Sequence, residues 1–183
     1  IVQGDFRMRV DNIDAEALRQ WRELLQEPPE EISEKRVNGI AKRFLGSSPR
    51  MEEAKLRMET EEGEIRLDAS AAFDGSEEIA ELKAPRMLQR LQTRIQFSVP
   101  VPVGVRMATA SLGVFGGLTA DQEADQDGEE LKRRARGWLE KLREPGYITR
   151  NSGRYATSLK LEQGLLSVND KPLLPLGGFL QGQ

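Results

Sequence analysis

The spacing of hydrophobic positions changes several times along the chain, and each change marks an element. Residues 2–10 alternate weakly and predict a strand with Phe6, Met8 and Val10 on one face. Asp14 is placed to cap a helix from about Ala15 to Gln26, whose Leu18, Trp21, Leu24 and Leu25 recur at helical spacing. Pro28-Pro29 ends that helix, because proline disfavours helical geometry in the residue before it. Ser33 opens a second helix through Leu45, with Val37, Ile40, Ala41, Phe44 and Leu45 on one stripe, and Gly46-Ser47-Ser48-Pro49 stops it.

Period two then takes over. Ala54, Leu56 and Met58 alternate with Lys55, Arg57 and Glu59; after the turn Glu61-Glu62-Gly63, Ile65, Leu67, Ala69, Ala71 and Phe73 alternate with other residues. Two alternating runs around a short turn are a hairpin. A third run follows, Leu91, Thr93, Ile95, Phe97 and Val99 against Gln92, Arg94, Gln96 and Ser98. One buried and one wet face per strand points to an antiparallel sheet. Pro100-Val101-Pro102 bends the chain into a helix around 103–112, and residues 113–128, rich in Gly, Asp and Gln, read as a flexible acidic loop. A strong amphipathic helix is expected over 129–143, with Leu131, Ala135, Trp138, Leu139 and Leu142 on its stripe. Pro145-Gly146 breaks it; Tyr155, Thr157, Leu159 and Leu161 give a strand, and residues 165–168 another after Gln163-Gly164. The tail 172–183 is either a packed strap or disordered. The expectation is a single α+β domain over 1–183, a twisted antiparallel β-sheet with amphipathic helices packed on one face.

Composition narrows the chemistry. Neither His nor Cys occurs among the 183 residues, which excludes imidazole bases, thiolate nucleophiles, disulfides and zinc sites built on those ligands. Lys and Arg number 27 against 30 Asp and Glu, a net charge of −3, so no broad basic surface for nucleic acid is expected. No run approaches the roughly 20 apolar residues a bilayer requires. The first ten residues include no initiator Met and alternate rather than forming a uniformly apolar signal segment, so the chain reads as an excised soluble segment of a longer protein.

Candidate sites fail one by one. Glu123, Asp125, Asp127 and Gly128 mimic positions 1, 3, 5 and 6 of a calcium loop, but position 12, which must supply a bidentate Glu, falls on Arg134. Lys132-Arg133-Arg134-Ala135-Arg136 surrounds an apolar stripe, so a solvated helix face explains it. The alternative is a winged helix, with Arg133, Arg134 and Arg136 reaching phosphates and Arg150 and Arg154 in the wing. Glu59, Glu64 and Asp68 could serve a carboxylate-pair hydrolase, yet Arg57 and Arg66 stand beside them and cross-strand ion pairs are the ordinary outcome. Gly113-Val114-Phe115-Gly116-Gly117 lacks the Lys-Ser or Lys-Thr of a phosphate loop. No catalytic, cofactor-binding or metal-ligating residue is assigned.

A resemblance adds a setting. Gly146-Tyr147-Ile148, then Gly153-Arg154-Tyr155, then the run from Leu159 to Leu173 with Val168-Asn169-Asp170-Lys171-Pro172 resembles the ending of the bacterial YdgA-like proteins. Asp170 stands where that family usually has Gly. The stretch from Ser48-Pro49 through Phe73 is similar to that family's hairpin with its Glu-Gly turn. The resemblance implies an inner-membrane parent anchored by one N-terminal helix, with this part on the periplasmic side, and a character similar to AsmA-like envelope proteins, some associated with lipid transport. The expected function is a non-catalytic cell-envelope binding or scaffold module. Its groove between sheet and helices, or its sheet edge, would engage a lipid, another apolar ligand or a protein partner, with a homo-oligomer as a further form.

Overall fold

The computed structural model describes residues 3–77, 79, 83–115 and 128–175. Those residues form an eight-stranded antiparallel sheet, β1 (Gln3–Asp11), β2 (Arg50–Thr60), β3 (Gly63–Phe73), β4 (Leu91–Pro100), β5 (Thr149–Asn151), β6 (Arg154–Glu162), β7 (Leu165–Val168) and β8 (Lys171–Pro175). The strands run in the order β1-β2-β3-β4-β6-β7-β8, and β5 pairs with β6. The α+β expectation holds.

The helices occupy three places. α1 (Ala15–Leu24) and α2 (Glu34–Gly46) are inserted between β1 and β2 and pack on each other through Ala17, Leu24 and Ile40. Asp14 caps α1 as the sequence indicates, accepting from the Ala17 amide at 2.7 Å, and also accepts from Nε of Arg43 near the end of α2. Those two interactions hold the Asp14 carboxyl below the ordinary aspartate range, the backbone amide being the larger cause. α3 (Ala84–Arg90) precedes β4. α4 (Val101–Phe115) and α5 (Gly128–Arg143) pack on each other and on the sheet, and the main core gathers Val103, Val105 and Ala108 of α4 with Ala135 and Leu139 of α5 and with Val99 and Tyr155 of the strands.

Several boundaries differ from the sequence reading. α4 begins directly at Val101, because a proline within the first helical turn loses an amide that had no intrahelical acceptor anyway. It continues through 113–115, so the expected loop is shorter at that end, and Gly128 already belongs to α5; residues 116–127 of that loop lie outside the described residues. Of the 172–183 tail, residues 172–175 belong to β8 and 176–183 lie outside the described residues. α3 and β5, seven and three residues long, have no counterpart in the hydrophobic periodicity of the sequence.

Three two-residue loops close the C-terminal hairpins with both residues left-handed: Ser152-Gly153, Gln163-Gly164 and Asn169-Asp170. That pattern is the primed turn whose twist matches paired strands. Asn169 also explains its segment. Its Nδ2 donates to the Gly146 and Tyr147 carbonyls at 2.9 and 3.0 Å, while its Oδ1 accepts from the Ser158 amide at 2.8 Å. The turn thereby pins the loop after α5 to β6. Asp170 holds a φ of 61° in the place where glycine adopts it without strain. Asp170→Gly is therefore expected to raise stability by about 0.5–1 kcal/mol, relief of the left-handed strain outweighing the extra freedom of the unfolded chain. Urea denaturation of the two proteins gives the sign directly.

Candidate apolar binding site

Residues facing each other across antiparallel strands share a side of the sheet, so the pairing traces continuous rows. One row reads Phe6, Leu56, Leu67, Phe97 and Thr157, across β1, β2, β3, β4 and β6. The next reads Met8, Ala54, Ala69, Ile95, Leu159 and Val168, and reaches β7. Apart from Thr157 both rows are apolar from end to end. At 4.7–4.9 Å between strands, the first spans roughly 19 Å.

Among the described residues, the core under α4 and α5 reaches only one end of this face. Ile65 and Phe97 pack against the core under α4 and α5, whereas Phe6 and Met8 are 62% and 58% exposed. Leu56, Leu67, Ile95 and Leu159 are half-buried and lie outside that core. Where the helices meet the strands, an open cavity of about 200 Å³ is walled by Phe97, Val99 and Tyr155 of the sheet, Met107 and Ala108 of α4, and Trp138 of α5. Met107 and Trp138, both substantially exposed, sit on this wall. Phe97 belongs to the cavity and to the first row alike, so groove and sheet face form one apolar track. A second cavity of about 380 Å³ lies on the α1–α2 hairpin, lined by Leu18, Trp21, Ile40, Ala41, Phe44 and Leu45.

The opposite side of the sheet is charged and largely paired off. Arg57 donates to Asp68 at 2.7 Å and lies 3.8 Å from Glu64, which also accepts from Arg66. The Asp68 hydrogen bond raises the Arg57 guanidinium pKa further above its ordinary value. Glu64 and Asp68 thus stand in the ion pairs that the alternating sequence suggested, and Glu59 faces Glu64 across β2 and β3. At the β2–β3 turn, Arg106 of α4 grips Glu62; this hydrogen bond holds the Glu62 carboxyl below the usual glutamate range. Among the described residues no polar or charged side chain is fully buried, and no group of three or more acidic residues is placed to hold a metal ion. The acidic residues Glu123, Asp125 and Asp127 of the calcium-like stretch lie outside the described residues.

The basic helix is arranged as an amphipathic element. Leu131, Ala135 and Leu139 are buried, Lys132 donates to Glu129 and Arg133 to Glu130, and Arg134 and Arg136 are exposed. The hairpin after it does form, as β5 and β6. Arg150 is exposed on β5, but Arg154 turns inward, donating from Nη2 to the Glu64 carbonyl at 2.6 Å and from Nε to Ser98 Oγ at 2.9 Å. Strand β6 lies between β4 on one side and β5 and β7 on the other. The residues the sequence could not single out are those of the cavity wall, since Phe97, Ala108 and Trp138 come together only through the packing of α4 and α5 on the sheet.

Among the described residues no helix is long and apolar enough to cross a membrane. The profile of a bacterial protein family of unknown function, DUF945, matches residues 2–175, and the chain belongs to that family. No curated protein and no solved structure matches the chain.

Proposed function

Taking membership of that bacterial family as the premise, we propose that this chain is a non-catalytic binding module of the cell envelope whose apolar track holds an elongated apolar ligand, such as the acyl chain of a lipid. One observation carries the reading: the two cross-strand rows are apolar over four and six strands, yet the core under α4 and α5 takes in only one end of that face. A contiguous apolar surface that is exposed at Phe6 and Met8 and half-buried from Leu56 to Leu159 has the character of an interaction site. The cavity alone is smaller than the usual 300–1,000 Å³ ligand pocket, and the uncovered rows supply the remaining length. The envelope setting rests on the finer resemblance to YdgA-like proteins, with this part on the periplasmic side of an anchored parent. In that setting a lipid-contacting surface has its ligand at hand.

Native mass spectrometry of gently prepared protein is expected to show lipid adducts, and a fluorescent acyl probe is expected to bind. Leu67→Gln, in the middle of the first row, should weaken probe binding by roughly tenfold, the consequence of losing one well-covered apolar side chain. Arg133→Gln, on the solvent side of α5, should leave it unchanged. Bare protein together with an unbound probe would rule the lipid reading out.

A further inference from the structure

The two outer edges of the sheet are built differently. At one side β8 is five residues long and contains Pro172 and Pro175, which carry no amide hydrogen for a further strand. At the other side β1 runs nine residues without a proline, and residues 3–9 are exposed throughout. Long unprotected edges are templates for strand addition. The question is which strand β1 is patterned to accept.

We propose that β1 pairs antiparallel with β1 of a second copy of this chain, in the register centred on Phe6. A two-fold axis normal to the sheet makes such a contact isologous and sets residues of the same face opposite one another. In this register Asp5 faces the partner's Arg7, Arg7 faces the partner's Asp5, and Gln3 faces the partner's Arg9. On the apolar side Phe6 meets the partner's Phe6 and each Met8 lies over the partner's Gly4. The ladder uses Gln3 to Arg9, the stretch in which β1 keeps regular pairing with β2 before the shift between Arg9 and Val10.

Charge selects this register over its neighbours. Centring on Asp5 sets Asp5 against the partner's Asp5, and centring on Arg7 sets Arg7 against the partner's Arg7. With the centre on Met8, Asp5 opposes the partner's Asp11 and Arg7 the partner's Arg9; with the centre on Arg9, that residue opposes its own copy. Centring on Gly4 or Val10 avoids like charges but pairs only three residues of β1 on each copy. Like charges directly opposite are destabilising and opposite ones stabilising. The Phe6 register is thus the longest one free of like-charge pairs. It also covers Phe6 and Met8, which among the described strand residues are the most exposed large apolar side chains. The result is one sheet whose apolar rows run through both copies. The inference rests on the edge and its charges, independently of whether the track holds a lipid.

Sedimentation equilibrium tests it with a charge exchange. The parent chain is expected to dimerise reversibly. Asp5→Arg alone and Arg7→Asp alone should each weaken the dimer by roughly tenfold or more, because symmetry repeats every like-charge contact. Mixing the two variants in equal amounts should restore association to within about threefold of the parent, since the mixed pair again sets unlike charges opposite. Should either variant melt below the parent, Asp5→Lys and Arg7→Glu repeat the comparison. A chain that stays monomeric, single variants that dimerise like the parent, or a mixture that fails to recover each overturns the proposal. Acyl-probe binding measured on the same samples reports separately on the lipid reading.

Discussion

Replacing Tyr155 by alanine is expected to cost about 3–5 kcal/mol, the range for deleting a buried aromatic ring. The side chain is 6% exposed and stands where β6 meets α4, in the core that also holds Val99, Val103 and Ala108. Its ring lies so near the helix that a methyl group on Gly104 would sit 2.8 Å from Cδ2. Loss of the ring leaves a void beside the existing groove, whose walls belong to β4, β6, α4 and α5 and cannot close together. Water entering from the open side reduces the loss, which favours the lower part of the range. Gly104→Ala checks the same contact from the opposite direction. In an unconstrained helix interior that change gains about 0.8–1 kcal/mol. Here the clash with a buried ring reverses the sign. Equilibrium urea denaturation should show both variants unfolding earlier than the parent with similar slopes.

Much of this fold was legible because alternation is a local property of the pleat. Leu56, Leu67 and Phe97 each announce their face within a few residues of sequence, and register then lines them up without further information. The charged side was legible for the same reason, Arg57 and Asp68 being alternating neighbours across one hairpin. What the pattern cannot carry is which surface covers which. Trp21 and Trp138 lie on clean helical stripes, yet both are at least 40% exposed. A stripe records only that apolar residues share a face, while burial depends on how wide the neighbouring element is. α1 and α2 are each other's principal cover, and two narrow helices leave the outer part of each stripe in water. The cavity beside Phe97 was illegible because it is the space left between α4, α5 and the strands. β5 escaped because three residues cannot display a period, and α3 because its single proline-led stretch reads as a connection. The Asn169-Asp170 turn shows the reverse case: a motif noted as resemblance proves to be a left-handed pair with a side chain stitching three segments together.

Gly75→Ala is expected to cost about 1–3 kcal/mol, although sequence alone makes it an ordinary loop glycine. A methyl group there would overlap the Leu45 carbonyl oxygen and lie 2.9 Å from that of Gly46. Both are backbone atoms at the end of α2, so no rotamer change relieves the contact. The Gly75 amide also donates to Ser48 Oγ at 3.0 Å, and the Phe73 amide donates to the Pro49 carbonyl at 3.1 Å. This close approach joins the α1–α2 hairpin to the sheet just beyond β3. Hydrogen exchange should therefore accelerate first in the last turn of α2 and around Ser48, while amides of α4 and α5 keep their protection until global unfolding. Gly137→Ala supplies the contrast. Gly137 lies within α5 with nothing within 4 Å of the added carbon, so there the substitution should stabilise by about 0.5–1 kcal/mol. Opposite signs at the two glycines distinguish steric closeness from helix propensity. The same sign at both would show that the approach of Gly75 to the end of α2 does not constrain the fold.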